Sequence, residues 1–233
     1  MSTLSLIAWN CNHGSLSTGI AELAQCRSDV VFFQECLPTE TLPLEGEFFT
    51  RRINDKKGIA LGSLNQDYQL TQLPHRAASG AAVLAATVTG PVPFTVLGIW
   101  GQKPNFAADV MLTLDAYDDV LRAGPSVVMG DLNSGTPLGR NRPHREGHKR
   151  VLARFADLGL VSAYHASTGA EHAQETHPTY RHLFKATQPW HIDFCFIPAK
   201  WVESLKGVEV MDGDKWTARS DHLPLRVNRS FAQ

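Results

Sequence analysis

The chain has 233 residues, with 22 basic side chains against 23 acidic ones and a formal charge of −1 at pH 7. This balance excludes a protein that binds nucleic acid through bulk positive charge, so an anionic ligand has to be held locally by a metal ion or a few arginines. The apolar fraction of 43% argues against disorder, and no apolar run reaches the roughly 18 residues that a membrane-spanning helix needs.

The four cysteines, Cys11, Cys26, Cys36 and Cys195, form no CxxC pair. The N-terminus has no basic start followed by a long apolar stretch, so the sequence predicts no secretory signal. These features favour a reduced, cytoplasmic protein with buried thiols. No Pro/Gly/Ser-rich linker divides the chain, which predicts one domain spanning residues 1–233. We expect a monomer, with no membrane association and no protein partner.

Runs of apolar, β-branched and aromatic residues predict strands, and apolar residues at helical spacing predict helices. The predicted strands are 4–9, 30–33, 58–64, 81–89, 94–100, 127–129, 192–197 and 223–227, with a further one near 208–211. The predicted helices are 18–27, 107–122 and 146–158. Short gaps favour antiparallel pairing, and strict βαβ alternation is absent. The predicted fold class is α/β, with two packed, largely antiparallel β-sheets flanked by helices in a four-layer sandwich.

Polar side chains stand at the ends of five predicted strands: Asn10, Glu35, Asp131 with Asn133, Asp193, and Asp221 with His222. Strand ends are where rigid scaffolds present catalytic groups, although a single Asp or Asn there is usually a turn former. Asp193 is the sharpest case, because it lies in an apolar run where an unpaired carboxylate is costly to desolvate. A histidine is a natural partner, since an Asp–His hydrogen bond fixes the tautomer and supports the imidazolium.

Five short motifs follow one another along the chain: Trp9-Asn10, Gln34-Glu35, Gly130-Asp131-Leu132-Asn133, His191-Ile192-Asp193-Phe194 and Ser220-Asp221-His222-Leu223-Pro224. Together they resemble the signature motifs of the endonuclease/exonuclease/phosphatase superfamily, over nearly the whole chain. The resemblance implies a divalent-metal-dependent phosphodiesterase. A nuclease that hydrolyses DNA or RNA by in-line attack of water is the leading interpretation.

The resemblance also implies a metal site. Glu35 would be the principal ligand of Mg²⁺ (or Mn²⁺), with Asp221 close to the same ion or to a second one. Asn10 would lie beside the metal or bond the phosphate. Asn12, which stands where some relatives have an acidic ligand, favours a weaker or single-metal site and is a candidate substrate contact.

The remaining motif residues are expected to carry the chemical step. By the same resemblance, Asp131 and Asn133 would position the attacking water, with Asp131 as general base. His222, oriented by Asp193, would stabilise the charge that grows on the phosphate oxygens. Each of these roles follows from motif position.

One strand end departs from the family pattern. Many family nucleases have a Tyr or His where this chain has Ile99 or Trp100, which puts abasic-site endonuclease activity of the best-known type in doubt. Trp100 could stack on a base or sugar of a single-stranded substrate, or be a core aromatic. Gln102 and Lys103 are candidate phosphate contacts.

Two further segments carry candidate substrate contacts. The segment 140–154, which includes Arg140 and Arg142, has six basic residues and one acidic residue. It could hold a phosphate backbone or be a solvated helix face. Tyr180 and Arg181 could stack on or pair with a nucleotide.

Two alternative functions and one possible metal-binding pair of histidines stay open. The first alternative is a phosphatase or phosphodiesterase acting on a small phosphorylated metabolite or a lipid head group. The second is a non-catalytic binding module with the same fold. His144 and His148, four residues apart, have a metal-ligand spacing, but no third ligand is apparent in the sequence.

Overall fold

The computed structural model describes residues 2–12, 23, 25–26, 28–36, 47–77, 81–135, 142–185, 187 and 189–231. The strands in this part of the chain are β1 (Ser2–Asn10), β2 (Val30–Cys36), β3 (Glu47–Arg52), β4 (Gly58–Ser63), β5 (Gln69–Gln72), β6 (Ala82–Thr89), β7 (Phe94–Trp100), β8 (Ser126–Asp131), β9 (Leu160–Ser162), β10 (Tyr180–Arg181), β11 (Pro189–Trp190), β12 (Asp193–Pro198), β13 (Leu205–Val210) and β14 (Leu225–Phe231). The helices are α1 (Phe106–Ala116), α2 (Asp118–Arg122), α3 (Arg142–Asp157), α4 (Ala163–Thr168) and α5 (Asp214–Thr217), with 3₁₀ turns at His182–Phe184 and Ala199–Ser204.

The strands form two six-stranded sheets, which confirms the predicted fold class. The first sheet has the order β13-β14-β1-β2-β4-β3, and the second has the order β5-β6-β7-β8-β12-β9. One pair in each sheet is parallel, β1 with β2 and β7 with β8. The other recorded pairs are antiparallel, including the small β10–β11 ribbon.

Side-chain alternation along β1 shows how the layers pack. Leu6 and Ala8 belong to the core between the two sheets, whereas Ile7 and Trp9 point to the other face of the first sheet. Such alternation is the consequence of the pleat. On that outer face the ring of Trp9 packs edge-on against Trp216, with centroids 5.4 Å apart.

The outer face of the second sheet is covered by helices α1 and α3. Val110 and Leu114 of α1 and Phe155 of α3 are buried against it. The ring of Phe155 stacks on Phe196 of β12, with centroids 3.6 Å apart. Among the helices that the structure describes, none is both long enough and apolar enough to cross a membrane.

The differences from the predicted elements have physical causes. The strands that the sequence pattern missed include β3, β5 and β9. Each is an edge strand of its sheet and lacks a continuous apolar run. The predicted helix 107–122 is two helices, because the chain leaves helical geometry at Tyr117. The predicted helix 18–27 lies largely outside the described residues.

Gly130, next to Asp131, is a position where only glycine fits. Its φ is +137°, and an added Cβ would lie 2.1 Å from the backbone oxygen of Ile99 and 2.8 Å from the ring of Phe32. Gly130→Ala should therefore lower the free energy of unfolding by about 3 kcal/mol or more, because strain and overpacking add. Urea unfolding measures this loss. Gly124→Ala is the control, since no atom lies within 4 Å of its added Cβ, and equal stability of the two variants would contradict the prediction.

Candidate active site

Polar residues from the two sheets meet at one edge of the sandwich. Asn10 ends β1 and Glu35 lies near the end of β2, while Asp131 ends β8 in the second sheet. The Nδ2 atom of Asn10 lies 3.0 Å from Oδ2 of Asp131 and 3.3 Å from Oε1 of Glu35. Asn10 therefore links a carboxylate of each sheet through one amide group.

A β-bulge sets the direction of Glu35. Gln34 pairs with Ile59 and Cys36 with Gly58, so Glu35 is the extra residue between them. Its φ is +55°, a conformation that costs energy in a non-glycine residue and is found at functional sites. The bulge re-aims the carboxylate toward Asn10.

Lys57 is a functional candidate that the sequence interpretation missed. It precedes β4 in a polar turn, and its ammonium group forms an ion pair with Oε2 of Glu35. The same ammonium lies 5.6 Å from the ring centroid of Trp100, within cation–π range. Because Cys36 pairs with Gly58, the register of β2 and β4 brings Lys57 to the site, and only a prediction of that register could have found it.

The carboxylate of Asp131 is buried and held by two donors. Oδ1 accepts the N–H of Asn133 at 2.8 Å, and Oδ2 accepts the amide of Asn10. Asn133 has a φ of +49° and donates its own side-chain amide to the carbonyl of Gly101. Burial raises the pKa of Asp131 to about 7, although the charge of His222 opposes the rise. A carboxylate with a pKa near neutrality suits a general base.

His222 forms a buried pair with Asp193, as the family resemblance implied. Its Nδ1 lies 2.9 Å and 3.2 Å from the two carboxylate oxygens of Asp193, and its Nε2 lies 3.8 Å from Oδ2 of Asp131. Burial lowers the pKa of His222, but the charges of Asp193 and Asp131 outweigh it and raise the pKa to about 9. The ring of His222 is therefore an imidazolium at neutral pH, and its Nε2 is on the side of Asp131, the candidate general base.

Backbone contacts fix His222 against the first sheet. Its carbonyl accepts the indole N–H of Trp9 at 3.2 Å. The hydroxyl of Ser220 donates to the carbonyl of Asn10 at 2.7 Å and accepts the N–H of His222 at 3.0 Å. These bonds hold the loop before β14 against the end of β1.

The carboxylates around Tyr180 form a region suited to binding a divalent cation. Burial and the charges of Asp221, Asp131, Glu35 and Asp193 raise the pKa of the Tyr180 phenol to about 12. Burial also raises the pKa of the Asp221 carboxyl, and the charge of Glu35 adds to the rise against the opposing charge of His222. Four carboxylates thus share one region, and hard oxygen ligands of this kind suit Mg²⁺ or Mn²⁺.

The segment with Tyr180 and Arg181 forms one wall of the site. The ring of Tyr180 lies 4.4 Å from that of His222, centroid to centroid, and its hydroxyl is 2.7 Å from Nδ1 of His182. The backbone N–H of Arg181 donates to the carbonyl of Asp221 at 2.7 Å, while its guanidinium pairs with Asp212 at 2.6 Å. Tyr180 is therefore beside the candidate catalytic groups, and the charge of Arg181 is turned toward Asp212.

Other candidate contacts are placed differently. The ring of Trp100 is buried in the core between the sheets, with 6% of its surface exposed, so it has little surface for stacking on a substrate. The side chain of Gln102 donates to the carbonyls of Trp100 and Gly101. Asn12 donates its N–H to Oδ1 of Asn10 at 3.2 Å. Arg140 lies outside the described residues, as does the side chain of Arg142.

Comparison with known proteins gives one family and one fold. The model of the Endonuclease/Exonuclease/phosphatase family matches residues 7–222, and no curated protein matches the chain in sequence. The endonuclease domain of TRAS1, a telomere-specific non-LTR retrotransposon, superposes with a TM-score of 0.71 at 16% identity, with 98% of each chain covered. A 3'-5' exonuclease from Neisseria meningitidis has a TM-score of 0.69 at 17% identity, over 98% of this chain and 100% of that one. An AP endonuclease from Archaeoglobus fulgidus has a TM-score of 0.70 at 17% identity, over 96% of this chain and 98% of that one.

Proposed function

The chain belongs to the endonuclease/exonuclease/phosphatase family, and we propose that it is a divalent-metal-dependent phosphodiesterase that hydrolyses DNA or RNA. The observation that carries this proposal is the bridge from Asn10 to both Glu35 and Asp131, next to the Asp193–His222 pair. Three structural neighbours are an endonuclease domain, a 3'-5' exonuclease and an AP endonuclease, which supports a nuclease.

In this proposal Glu35 and Asp221 would hold Mg²⁺ or Mn²⁺. The bound cation would neutralise phosphate charge and act as a Lewis acid. Asp131, fixed by Asn10 and by the N–H of Asn133, accepts the proton of the attacking water.

His222 and the groups around it act on the phosphate. The imidazolium of His222, held by Asp193, stabilises the charge that grows on the phosphate oxygens. Tyr180 packs against the His222 ring and limits the movement of that ring, which holds the imidazolium charge in position for the phosphate. Asn12 and Gln102 lie near the same strand ends and remain candidate substrate contacts.

The remaining proposals, which concern alternative functions, cellular location and oligomeric state, rest on the sequence. The near-neutral charge is compatible with a small phosphorylated metabolite or a lipid head group as the substrate, which is the second candidate function. A non-catalytic module is the third. We also propose that the chain acts as a single cytoplasmic domain and a monomer.

A substrate panel tests the proposed function. The purified protein would be incubated with single-stranded DNA, duplex DNA, abasic duplex, RNA and bis-p-nitrophenyl phosphate, each with Mg²⁺, Mn²⁺ or EDTA. We expect cleavage of at least one nucleic acid with metal and none with EDTA. Glu35→Gln should reduce the rate by about 100-fold or more, because it removes a ligand charge.

Glu203→Gln is the matched control, since Glu203 is exposed on the 3₁₀ turn after β12. It should cleave like the wild type, so a loss of cleavage in Glu35→Gln alone assigns the activity to this protein and not to a contaminant. Hydrolysis of bis-p-nitrophenyl phosphate without cleavage of any nucleic acid would move the small-phosphoester function to first place. A protein that binds neither Mg²⁺ nor Mn²⁺ in calorimetry would favour the binding module.

A further inference from the structure

A second group of titratable side chains lies outside the candidate active site, between helices α3 and α4 and the segment before β10. His165 of α4 and Glu175 have Nε2 and Oε1 atoms 3.1 Å apart, and Nδ1 of His172 lies 4.0 Å from the same oxygen. One ligand atom from each of the three lies within 4.8 Å of the others. Ligand atoms around a tetrahedral zinc ion are about 3.4 Å apart, as bond lengths near 2.0–2.1 Å require.

Two buried imidazoles border this group and have a ring nitrogen without a partner. His148 is fully buried and His191 is 2% exposed, and in each the Nε2 atom has no hydrogen-bond partner among the residues that the structure describes. The rings of His148 and His172 have centroids 6.3 Å apart, and those of His191 and His165 are 5.9 Å apart. A buried ring nitrogen without a hydrogen-bond partner is costly, so these two rings mark a polar pocket beside the three candidate ligands.

The opposite ring nitrogens are anchored as they are in metal-binding histidines. Nδ1 of His165 lies 2.7 Å from the hydroxyl of Ser162, and Nδ1 of His148 lies 3.0 Å from that of Ser134. Nδ1 of His191 donates to a backbone carbonyl at 3.0 Å, which leaves its Nε2 as the lone-pair nitrogen. Metal-ligating histidines use such contacts of the second nitrogen to fix ring orientation and tautomer.

We propose that His165, His172 and Glu175 form a binding site for a zinc-type transition-metal ion, bordered by the buried imidazoles of His148 and His191. Imidazole nitrogen suits Zn²⁺ and its neighbours in the transition series, whereas Mg²⁺ takes oxygen ligands and keeps several waters. This site is therefore chemically distinct from the carboxylate site around Glu35.

The site would hold the segment that leads to the active-site wall. Four residues after Glu175, the hydroxyl of Thr179 accepts the N–H of Asp193 at 3.0 Å, and its carbonyl accepts the N–H of Leu223 at 2.7 Å. Tyr180 follows and packs on His222. A metal bound by Glu175 would therefore fix the start of this segment against α4, a structural role that does not require the metal to touch substrate.

The test is zinc binding by the full chain after removal of metals with a chelator. We expect one tightly bound Zn²⁺ per chain, measured by elemental analysis and calorimetry in excess Mg²⁺, and a rise in Tm of several degrees on zinc addition. Glu175→Gln and His172→Asn should lose both effects, and Glu171→Gln and His75→Asn, at exposed positions, should keep them. His172 is only partly buried, so its variant is expected to fold.

Three outcomes would overturn the proposal. The wild type could take up no zinc in excess Mg²⁺. Zinc uptake could persist in both Glu175→Gln and His172→Asn. It could instead be lost in Glu35→Gln while persisting in Glu175→Gln, which would assign the zinc to the carboxylate site. Because zinc content is the readout, the result does not depend on whether the protein cleaves nucleic acid.

Discussion

Replacement of Asp131 by asparagine should lower kcat for phosphodiester cleavage by about 10²- to 10⁴-fold, the contribution of a general base. Asparagine has nearly the same shape, but its amide cannot accept a proton from the attacking water. The carboxylate is fixed by Asn10 and by the N–H of Asn133, so the substitution removes a proton acceptor from one defined position. Single-turnover kinetics on the preferred substrate measure the chemical step, and the substrate Kd should change much less.

Loss of a buried carboxylate also affects stability, and Asp29 provides the matched control. Asp29 is buried, accepts the N–H of Ser5 at 2.7 Å and accepts the amide of Asn65 at 2.6 Å. It precedes β2, whereas Glu35 lies near the other end of that strand. Asp29→Asn should lower the urea midpoint but leave kcat unchanged, because distant sites act independently. An equal fall of kcat in the two variants would contradict the assigned role of Asp131.

The central strands and the residues at their ends were predictable because both have strong local patterns. β7 was predicted at its observed bounds, Phe94–Trp100, since it is a largely apolar, β-branched and aromatic run between turns. Asp193 was expected to need a histidine partner because a buried carboxylate without one is unstable, and the structure places it on His222. Physical chemistry at this position indicated that a partner was needed, whereas the identity of the partner as His222 came from the family resemblance.

The side on which a buried strand presents each residue could not be predicted in the same way. Both faces of β7 are covered, so from Val96 to Trp100 every position is apolar or glycine and no alternation marks the inner face. Trp100 faces the core between the sheets with Val96, while Ile99 and Leu97 face the helices. The choice between a stacking surface and a core aromatic at Trp100 therefore needed the packing of the second sheet.

Groups brought together by tertiary packing were also beyond a sequence interpretation. His148 was noted only with its helix neighbour His144, and no third ligand was apparent. In the structure His148 lies near His172 and His165, which come from a short helix and loop that the sequence pattern did not predict. Pairs of polar residues four apart are visible in a sequence, but ligands from separate elements are not.

His222→Ala should lower kcat by about 10²- to 10³-fold, because the imidazolium that stabilises the phosphate charge is lost. It should also lower the free energy of unfolding by about 3–5 kcal/mol, because the carboxylate of Asp193 is left buried without its partner. Asp193→Asn keeps the ring but removes the main charge that holds His222 protonated. It should therefore lower kcat with a smaller loss of stability, and NMR titration should show a lower pKa for His222.

The double variant distinguishes a positioning role for Asp193 from a direct one. If Asp193 acts through His222, then Asp193→Asn should have no further effect on kcat once His222 is alanine, because residues that act as a unit are not additive. The double variant should also be more stable than His222→Ala alone, since the amide of asparagine is far less costly to bury than an unpaired carboxylate. Additive losses of kcat would instead mean that Asp193 acts on the water, the metal or the substrate independently of His222, and the Nδ1 contact at 2.9 Å would then be only structural.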